Sequence, residues 1–262
     1  MKVRMKLSRI LAYNTDFSSS TYSDFRKEKF NKLFRSLSRK IQISHKTILD
    51  IGCGRGESAA VFKYRGAERV FAVDINRLKL MEVRDKESGI HFIAADAAGK
   101  LPFKETAAFD MTVSLDSLEH EENPEKYLET MVRHTKSGGH ILIEFTHHNS
   151  IIGHHLIRMT RLPVHLLPRK WMEAIIKHKI KMKFGKNYEA EFRKTMQWYH
   201  HLNGLTYASM KRMISRFEVS VAAEYFIFHL PGSILLKFKP RRMLIALQAF
   251  MTFNTLFILE KD

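Results

Sequence analysis

The sequence predicts an α/β fold built on a mostly parallel sheet. Three observations carry that reading. Short apolar strands alternate with helices between Thr47 and Phe145, the arrangement that right-handed βαβ units produce. The first of these strands runs straight into the glycines of Asp50-Ile-Gly-Cys-Gly-Arg-Gly56. The next two strands each end on a carboxylate, Asp74 and Asp96. In such a sheet ligands bind outside the carboxyl ends of the strands, so the glycines and carboxylates fall where a ligand is expected.

Taken in order, residues 1–45 form an N-terminal helical segment. Phe25, Phe30, Leu33, Phe34 and Leu37 recur at helical spacing, and Ser23 or Asp24 is suited to cap the helix. A cofactor-binding core over 46–150 follows. It opens with the strand Thr47–Cys53, a helix from Glu57 to about Tyr64 stopped by Gly66, and a second buried strand, Arg69–Asp74. A helix from Asn76 to Asp85, strands at Ile90–Ala95 and Phe109–Leu115, and a helix from Pro124 to about His134 come next. Proline suits that last helix's first turn, where the missing N–H costs nothing. Gly138-Gly139 turns into a fifth strand, His140–Phe145.

Residues 151–205 break the rhythm and read as a basic, lid-like insertion on the substrate face. Arg158, Arg161, Arg169, Lys170, Lys177, Lys179, Lys181, Lys183, Lys186, Arg193 and Lys194 are opposed only by Glu173, Glu189 and Glu191. Trp171, Trp198 and Tyr199 are read as core aromatics. Residues 206–262 complete the sheet, with a helix near Tyr207–Arg216, a strand over Glu218–Phe228, an apolar helix from Arg241 to Phe250 and a last strand, Thr255–Glu260. The apolar tail is too short and interrupted for a membrane span. The whole 1–262 is read as one domain.

Composition bounds the partners. The chain carries 44 Lys+Arg against 27 Asp+Glu, a formal charge of +17, which favours anionic partners: nucleic acid, anionic lipid headgroups or phosphorylated metabolites. The single cysteine, Cys53, excludes an intrachain disulfide and fits a reducing compartment. The basic start lacks a long apolar run and a small-residue cleavage site, so no signal peptide is read. The expected location is cytoplasmic, with peripheral contact at a membrane.

The glycine loop alone would suit a dinucleotide, but two details depart from that fingerprint. The third glycine is Gly56, one residue earlier than the dinucleotide pattern requires, and Asp50 lies inside the strand two residues before the first glycine. Asp74, 22 residues after Gly52, is placed to accept both hydroxyls of a ribose. Asp96 brings a second carboxylate to the same crevice.

On these residues the chain resembles the class I, Rossmann-like S-adenosylmethionine-dependent methyltransferases. ILDIGCGRGE is similar to their first motif, VFAVDIN to the second and AADAAGKLPF to the third. FDMTVSLDSLEHEENPEKYLETMVRHTKSGGHILIEF resembles the later motifs of the small-molecule and lipid-modifying branch. The resemblance implies a seven-stranded sheet with the last strand antiparallel and S-adenosyl-L-methionine as cofactor; the break in pattern over 151–205 then reads as a helical insertion after strand 5. It implies that Gly52, Gly54 and Gly56 skirt the cofactor's amino-acid part and that Asp74 holds the ribose. Ile75 would then cover the adenine, Asp96 with Ala97 would meet its amino group, and Leu115-Asp116 would line the methionine side. The loop THHNS stands where many relatives carry a proline-asparagine turn.

Methyl transfer asks the protein mainly to align the acceptor and exclude water. A hydroxyl acceptor gains from a general base, and His120, just after the fourth strand, is the candidate. His147, His148, His200 and His201 are further histidines, but no spacing among them matches a metal site. The leading functional expectation is methyl transfer to a small-molecule or lipid-linked acceptor, at oxygen. The charge suits an RNA or protein methyltransferase as the second reading, although no recognisable RNA module is present. A methyltransferase-fold binding protein without catalysis is the third.

Overall fold

The structure is a computed structural model, and it describes residues 20–83, 89–103, 107–150, 156, 160, 162–230, 234–238 and 254–262. The helices are α1 (Ser20–Leu37), α2 (Glu57–Tyr64), α3 (Arg77–Met81), α4 (Pro124–His134), α5 (Arg169–Phe184), α6 (Tyr188–His200) and α7 (Tyr207–Ile214). The strands are β1 (Thr47–Ile51), β2 (Arg69–Asp74), β3 (Ile90–Ala94), β4 (Phe109–Leu115), β5 (Thr135–Thr146), β6 (Val219–Leu230), β7 (Ile234–Phe238) and β8 (Asn254–Lys261).

One sheet holds all eight strands in the order β3-β2-β1-β4-β5-β8-β6-β7. β1 to β5 are parallel, and β8 runs antiparallel between β5 and β6. Seven strands thus make the predicted Rossmann-like sheet with its last strand antiparallel. The eighth, β7, pairs antiparallel with β6 from Leu230↔Ile234 to Phe226↔Phe238. Its warning in the sequence was Pro231-Gly232 ahead of an apolar run, a hairpin signal.

Most element boundaries agree with the periodicity, and the differences have local causes. α3 spans only Arg77–Met81, with the Asn76 side chain accepting from the Lys79 N–H; residues 84–88 lie outside the described set. β5 begins at Thr135, before the glycines. Gly138-Gly139 does not turn into the strand but sits within a register shift between the Phe109↔Thr135 and Met111↔His140 pairings, as a bulge does. The described part of α1 begins at Ser20, so neither Ser23 nor Asp24 is its cap. The helix expected over Arg241–Phe250 lies outside the described residues.

The sheet is packed on both faces. On one, Phe30, Leu33, Phe34 and Leu37 of α1 meet Phe62 of α2, Ile48 and Val70, with the Phe34 and Phe62 rings 4.7 Å apart. Phe25, the first of the predicted helix-face residues, is exposed instead. On the other face Leu49, Ile51, Tyr127, Met131, Phe145, Met210 and Phe257 are buried together. The alternation of Ile48 and Leu49 between the two clusters follows the period of two along a strand.

The stretch between β5 and α7 has a small core of its own: Leu156, Val164, Met172, Ile176, Ile180 and Met196. The described cations of this stretch, including Lys177, Lys181 and Arg193, are all exposed. The aromatic expectation holds for Tyr199, which packs against this core, and fails for both tryptophans. Trp171 is 68% exposed and Trp198 also reaches solvent, because the inward face of α5 is taken by Met172, Ile176 and Ile180 and leaves no room for an indole.

Candidate active site

The loop after β1 is stitched to β2. The Gly52 and Cys53 N–H groups both donate to the Val73 carbonyl, at 2.8 and 3.0 Å. The Gly54 N–H donates to Asp74 Oδ2 at 2.7 Å and the Asn76 N–H to Asp74 Oδ1 at 2.8 Å. Asp74 therefore holds the glycine loop in place as well as standing at the strand end expected to meet a ribose.

Two of the three glycines are demanded by close approach. A Cβ on Gly52, at φ +71°, would lie 1.9 Å from Ser117 Oγ, and one on Gly56, at φ +75°, would lie 2.7 Å from the Phe92 ring. Gly54 is left-handed as well, but a Cβ there would meet nothing within 4 Å: its bare backbone faces open space, as a ligand-cradling loop requires.

The crevice is acidic in a chain of charge +17. Asp50, on β1, is buried and accepts from Ser58 Oγ at 2.5 Å; burial pushes its carboxyl up to about 7 against that hydrogen bond. Glu57 is buried in the first turn of α2. Glu121, after β4, is pushed up to about 7 by burial first and then by Asp96 and Asp74, which brings three carboxylates to one neighbourhood. Asp96 is exposed and also accepts from the Ala98 N–H at 2.8 Å. Ile75 stands 72% exposed at the end of β2, an apolar surface beside that lip. Leu115 and Ala97 are buried in the core, where they shape the site from below.

Asp116 is left-handed, at φ 54°, and its carboxylate is the hub of a network absent from the sequence-based expectation. Arg26 Nη1 donates to it at 3.1 Å, Lys29 Nζ at 2.6 Å and Asn254 Nδ2 at 2.8 Å. Lys29 also lies 3.3 Å from Glu144, to which Asn254 donates at 2.7 Å. Arg26 lies 3.9 Å from Glu57. A basic pair sharing a helix face with Phe30 and Leu33 was the one available signal for Arg26 and Lys29. Nothing local marks Asn254, 138 residues from its partner.

On the far side of Asp116 the chain turns through Leu118–His120. The His120 ring centroid lies 6.0 Å from that of Trp198 on α6, and burial holds its pKa down to about 4, so it is neutral. His147 is a structural histidine. Its Nδ1 accepts from the Tyr207 N–H and its Nε2 meets Thr255 Oγ1, and burial lowers its pKa to about 3. Among the described residues no group of three His, Cys, Asp or Glu is arranged to hold a metal.

With this geometry in view, the comparisons are direct. Residues 49–143 match the methyltransferase-domain family. The chain is 29% identical over 121 residues to the ubiquinone biosynthesis O-methyltransferase of Chromobacterium violaceum, covering 44% of this chain and 50% of that one. It is 36% identical over 101 residues to the demethylmenaquinone methyltransferase of Paenarthrobacter aurescens, covering 38% and 39%. Residues 49–143 carry a methyltransferase domain. It spans about half or less of the length of these curated relatives. The fold extends further than the identity. A Thermotoga maritima S-adenosylmethionine-dependent methyltransferase superposes with a TM-score of 0.58 at 14% identity, covering 91% of this chain and 92% of that one. One from Mesorhizobium loti gives 0.56 at 16%, covering 88% and 98%.

S-adenosyl-L-methionine is the cofactor of this methyltransferase family, and the residues present fit it. The cofactor bears a sulfonium and an ammonium, and the crevice offers Asp50, Glu57, Asp74 and Asp96. A dinucleotide would bring its pyrophosphate to the N-terminus of α2, where Glu57 lies buried and repels it. Arg26, beside Glu57 and Asp116, is the cation within reach of the crevice that suits the cofactor's carboxylate.

Proposed function

We propose that this chain transfers a methyl group from S-adenosyl-L-methionine to an uncharged small-molecule or lipid-linked acceptor, at oxygen. The observation that carries the reading is the neutral imidazole of His120, one turn beyond Asp116 at the end of β4 and covered by Trp198 from the insertion. Gly52, Gly54, Asp74 and Asp96 bind the cofactor, which supplies a methyl group activated on a sulfonium. His120 accepts the proton of the acceptor hydroxyl; only a neutral imidazole can do so. The described helices of the 151–205 insertion, Arg169–Phe184 and Tyr188–His200, act as a lid that keeps water from the acceptor side. The names of the curated relatives, quinone-pathway methyltransferases, support a small-molecule acceptor over RNA or protein.

The test is calorimetry with S-adenosylhomocysteine, followed by tritiated-methyl transfer to a panel of phenols. Binding of the nucleoside and transfer abolished by His120→Ala are expected. Preference for a nicotinamide dinucleotide would overturn the reading, and labelled RNA or protein in place of small molecules would move the acceptor to another class.

One surface favours docking at an anionic membrane. Leu162, Leu166, Leu167 and Trp171 are exposed in one short run, and Arg169 and Lys170 beside them are exposed too. Apolar and aromatic side chains bordered by cations suit a lipid interface, with about 1 kcal/mol from each cation near an anionic surface. No described helix is long and apolar enough to cross a membrane. Co-sedimentation with anionic vesicles at low salt, lost at high salt and with neutral vesicles, is the expected result. Tighter binding to RNA of matched charge would refute it.

A further inference from the structure

His120 rides on a short turn, Leu118–His120. The turn is closed by the His120 N–H on the Ser117 carbonyl at 2.9 Å and by the Glu121 N–H on the Leu118 carbonyl at 3.3 Å. The next helix, α4, starts only at Pro124, so no following helical turn supplies N–H groups to the last carbonyls. From the side of β5 the Thr146 N–H donates to Glu119 Oε1 at 3.3 Å.

Asn203 answers those carbonyls. It lies half-buried in the link from α6 to α7. Its Nδ2 donates to the Leu118 carbonyl at 2.7 Å and to the Glu121 carbonyl at 2.9 Å. Its backbone N–H donates to the Glu119 carbonyl at 3.0 Å, and its Oδ1 accepts from the Leu205 N–H at 3.0 Å. Both donors and the acceptor of the amide are thus in use. The orientation is fixed as well, because a turned amide would set Oδ1 against two carbonyl oxygens. Aspartate has the same shape without the donors. The bonds fall on both sides of His120, so they pin the backbone that aims its ring. Trp198, on the same leg of the insertion, reaches the turn from α6, its ring centroid 6.0 Å from that of His120.

We propose that Asn203 is a positioning residue for methyl transfer, pinning the turn through three carbonyls so that the His120 ring stays at the crevice. The inference rests on the reading of His120 as the base and deepens it. Titratable and charged groups face the ring from several elements: Asp116 after β4, Lys79 of α3, Arg26 of α1 and His201 after α6. Burial, opposed by Asp116 and aided by Lys79, Arg26 and His201, keeps its pKa at about 4. A released turn gives the ring to water, and its pKa climbs toward the ordinary 6.5. The base is then both misplaced and partly protonated near pH 6.

The test follows the His120 ring by carbon–proton NMR against pH, with S-adenosylhomocysteine present and His120→Gln to identify the signal. The ring of the unaltered protein is expected to stay neutral down to about pH 5. Asn203→Ala should raise the midpoint by at least one pH unit. Thr206→Ala, which removes the cap of α7 in the same link, should leave it in place. With a phenol that the enzyme methylates, Asn203→Ala should lower kcat at least tenfold and keep the cofactor KM within twofold, with the larger loss at pH 6 than at pH 8. A ring still neutral at pH 5 in folded Asn203→Ala overturns the proposal. So does an equal shift in Thr206→Ala, or a loss that falls on the cofactor KM. If Asn203→Ala does not fold, the unaltered protein decides: protected Asn203 Nδ2 hydrogens support the clamp, and exchange at solvent rates refutes it. Methyl transfer that survives His120→Ala sinks the base and the reading beneath the proposal. Transfer lost in His120→Ala, with the ring unmoved in Asn203→Ala, sinks only the role of Asn203.

Discussion

Replacing Lys29 by Met is expected to destabilise the protein far more than a surface charge would. The Lys29 side chain is 9% exposed and serves two carboxylates, Asp116 at 2.6 Å and Glu144 at 3.3 Å, the latter fully buried. Burial on its own would lower the ammonium's pKa, but Asp116 and Glu144 reverse that and leave it raised. Methionine conserves most of the volume and deletes the charge, so the loss is mainly electrostatic. Removing one partner of a buried pair typically costs about 3–5 kcal/mol, because the other charge stays behind uncompensated. An exposed pair is worth about 0–1 kcal/mol. At roughly 2–4 °C per kcal/mol for a protein near this size, the melting temperature should fall by about 6–20 °C. Urea unfolding followed by circular dichroism measures the change, and an unaltered slope would show that the denatured state is the same. A second variant carrying Glu144→Gln as well should recover part of the loss, since neighbours in one network are not additive. A loss below about 1 kcal/mol, or no recovery in the double variant, would refute the reasoning.

Asp74→Ala is expected to weaken S-adenosylhomocysteine binding by about 1.5–3 kcal/mol, the range for hydrogen bonds to a charged group, with the fold retained; an unchanged dissociation constant in calorimetry would misplace the ribose. Gly52→Ala should abolish nucleoside binding, because its Cβ would lie 1.9 Å from Ser117 Oγ at a left-handed φ, whereas Gly54→Ala, whose Cβ would meet no protein atom, should cost the fold only the left-handed strain of about 1–2 kcal/mol and weaken nucleoside binding by standing in the space the ligand needs. Acid should destabilise the protein through His147. Its folded pKa of about 3 lies below the ordinary 6.5, so the unfolded chain binds the extra proton and stability is lost as pH falls from 6.5 toward 3. Near pH 5 that is about 2 kcal/mol, and His147→Gln should flatten the acid limb of a melting-temperature profile relative to the unaltered protein.

Legibility in the sequence followed how local each cause was. Thr47–Ile51, Glu57–Tyr64 and Phe109–Leu115 are set by periodicity and by glycines beside them, and their limits could be read almost to the residue. Asp74 could be read too, because its place follows from the end of a strand. β7 could not be read because its strand is short and the Pro231-Gly232 pair is a weak signal in the sequence. The turn after β4 was the least legible. Glu119 sits in a single turn next to a histidine, with nothing in its neighbours to say that one oxygen would be buried without a hydrogen-bond partner among the described residues. That follows only when β5, the Val164–Leu166 turn and α6 converge on it. The exposure of Trp171 was misread for the opposite reason: aromatic residues are usually buried, and the pattern of Met172, Ile176 and Ile180 that displaces it had to be weighed as a competing face.

The place of β8 in the sheet has a bearing on how the chain is made. This strand enters the middle of the sheet, between β5 and β6, yet it is translated after both. It also carries Asn254, which binds Asp116 and Glu144. A chain emerging from the ribosome can therefore assemble β1 to β5 around α1 and α2 early, but it must hold β5 with an unpaired edge while more than a hundred further residues are added. Exposed strand edges are templates for unwanted pairing. Until Asn254–Lys261 threads into that gap, the half-buried carboxylate of Asp116 and the buried one of Glu144 lack one of their partners. Competence to bind ligand should thus arrive late and abruptly in synthesis, and chaperone dependence should concentrate in the interval between β5 and β8.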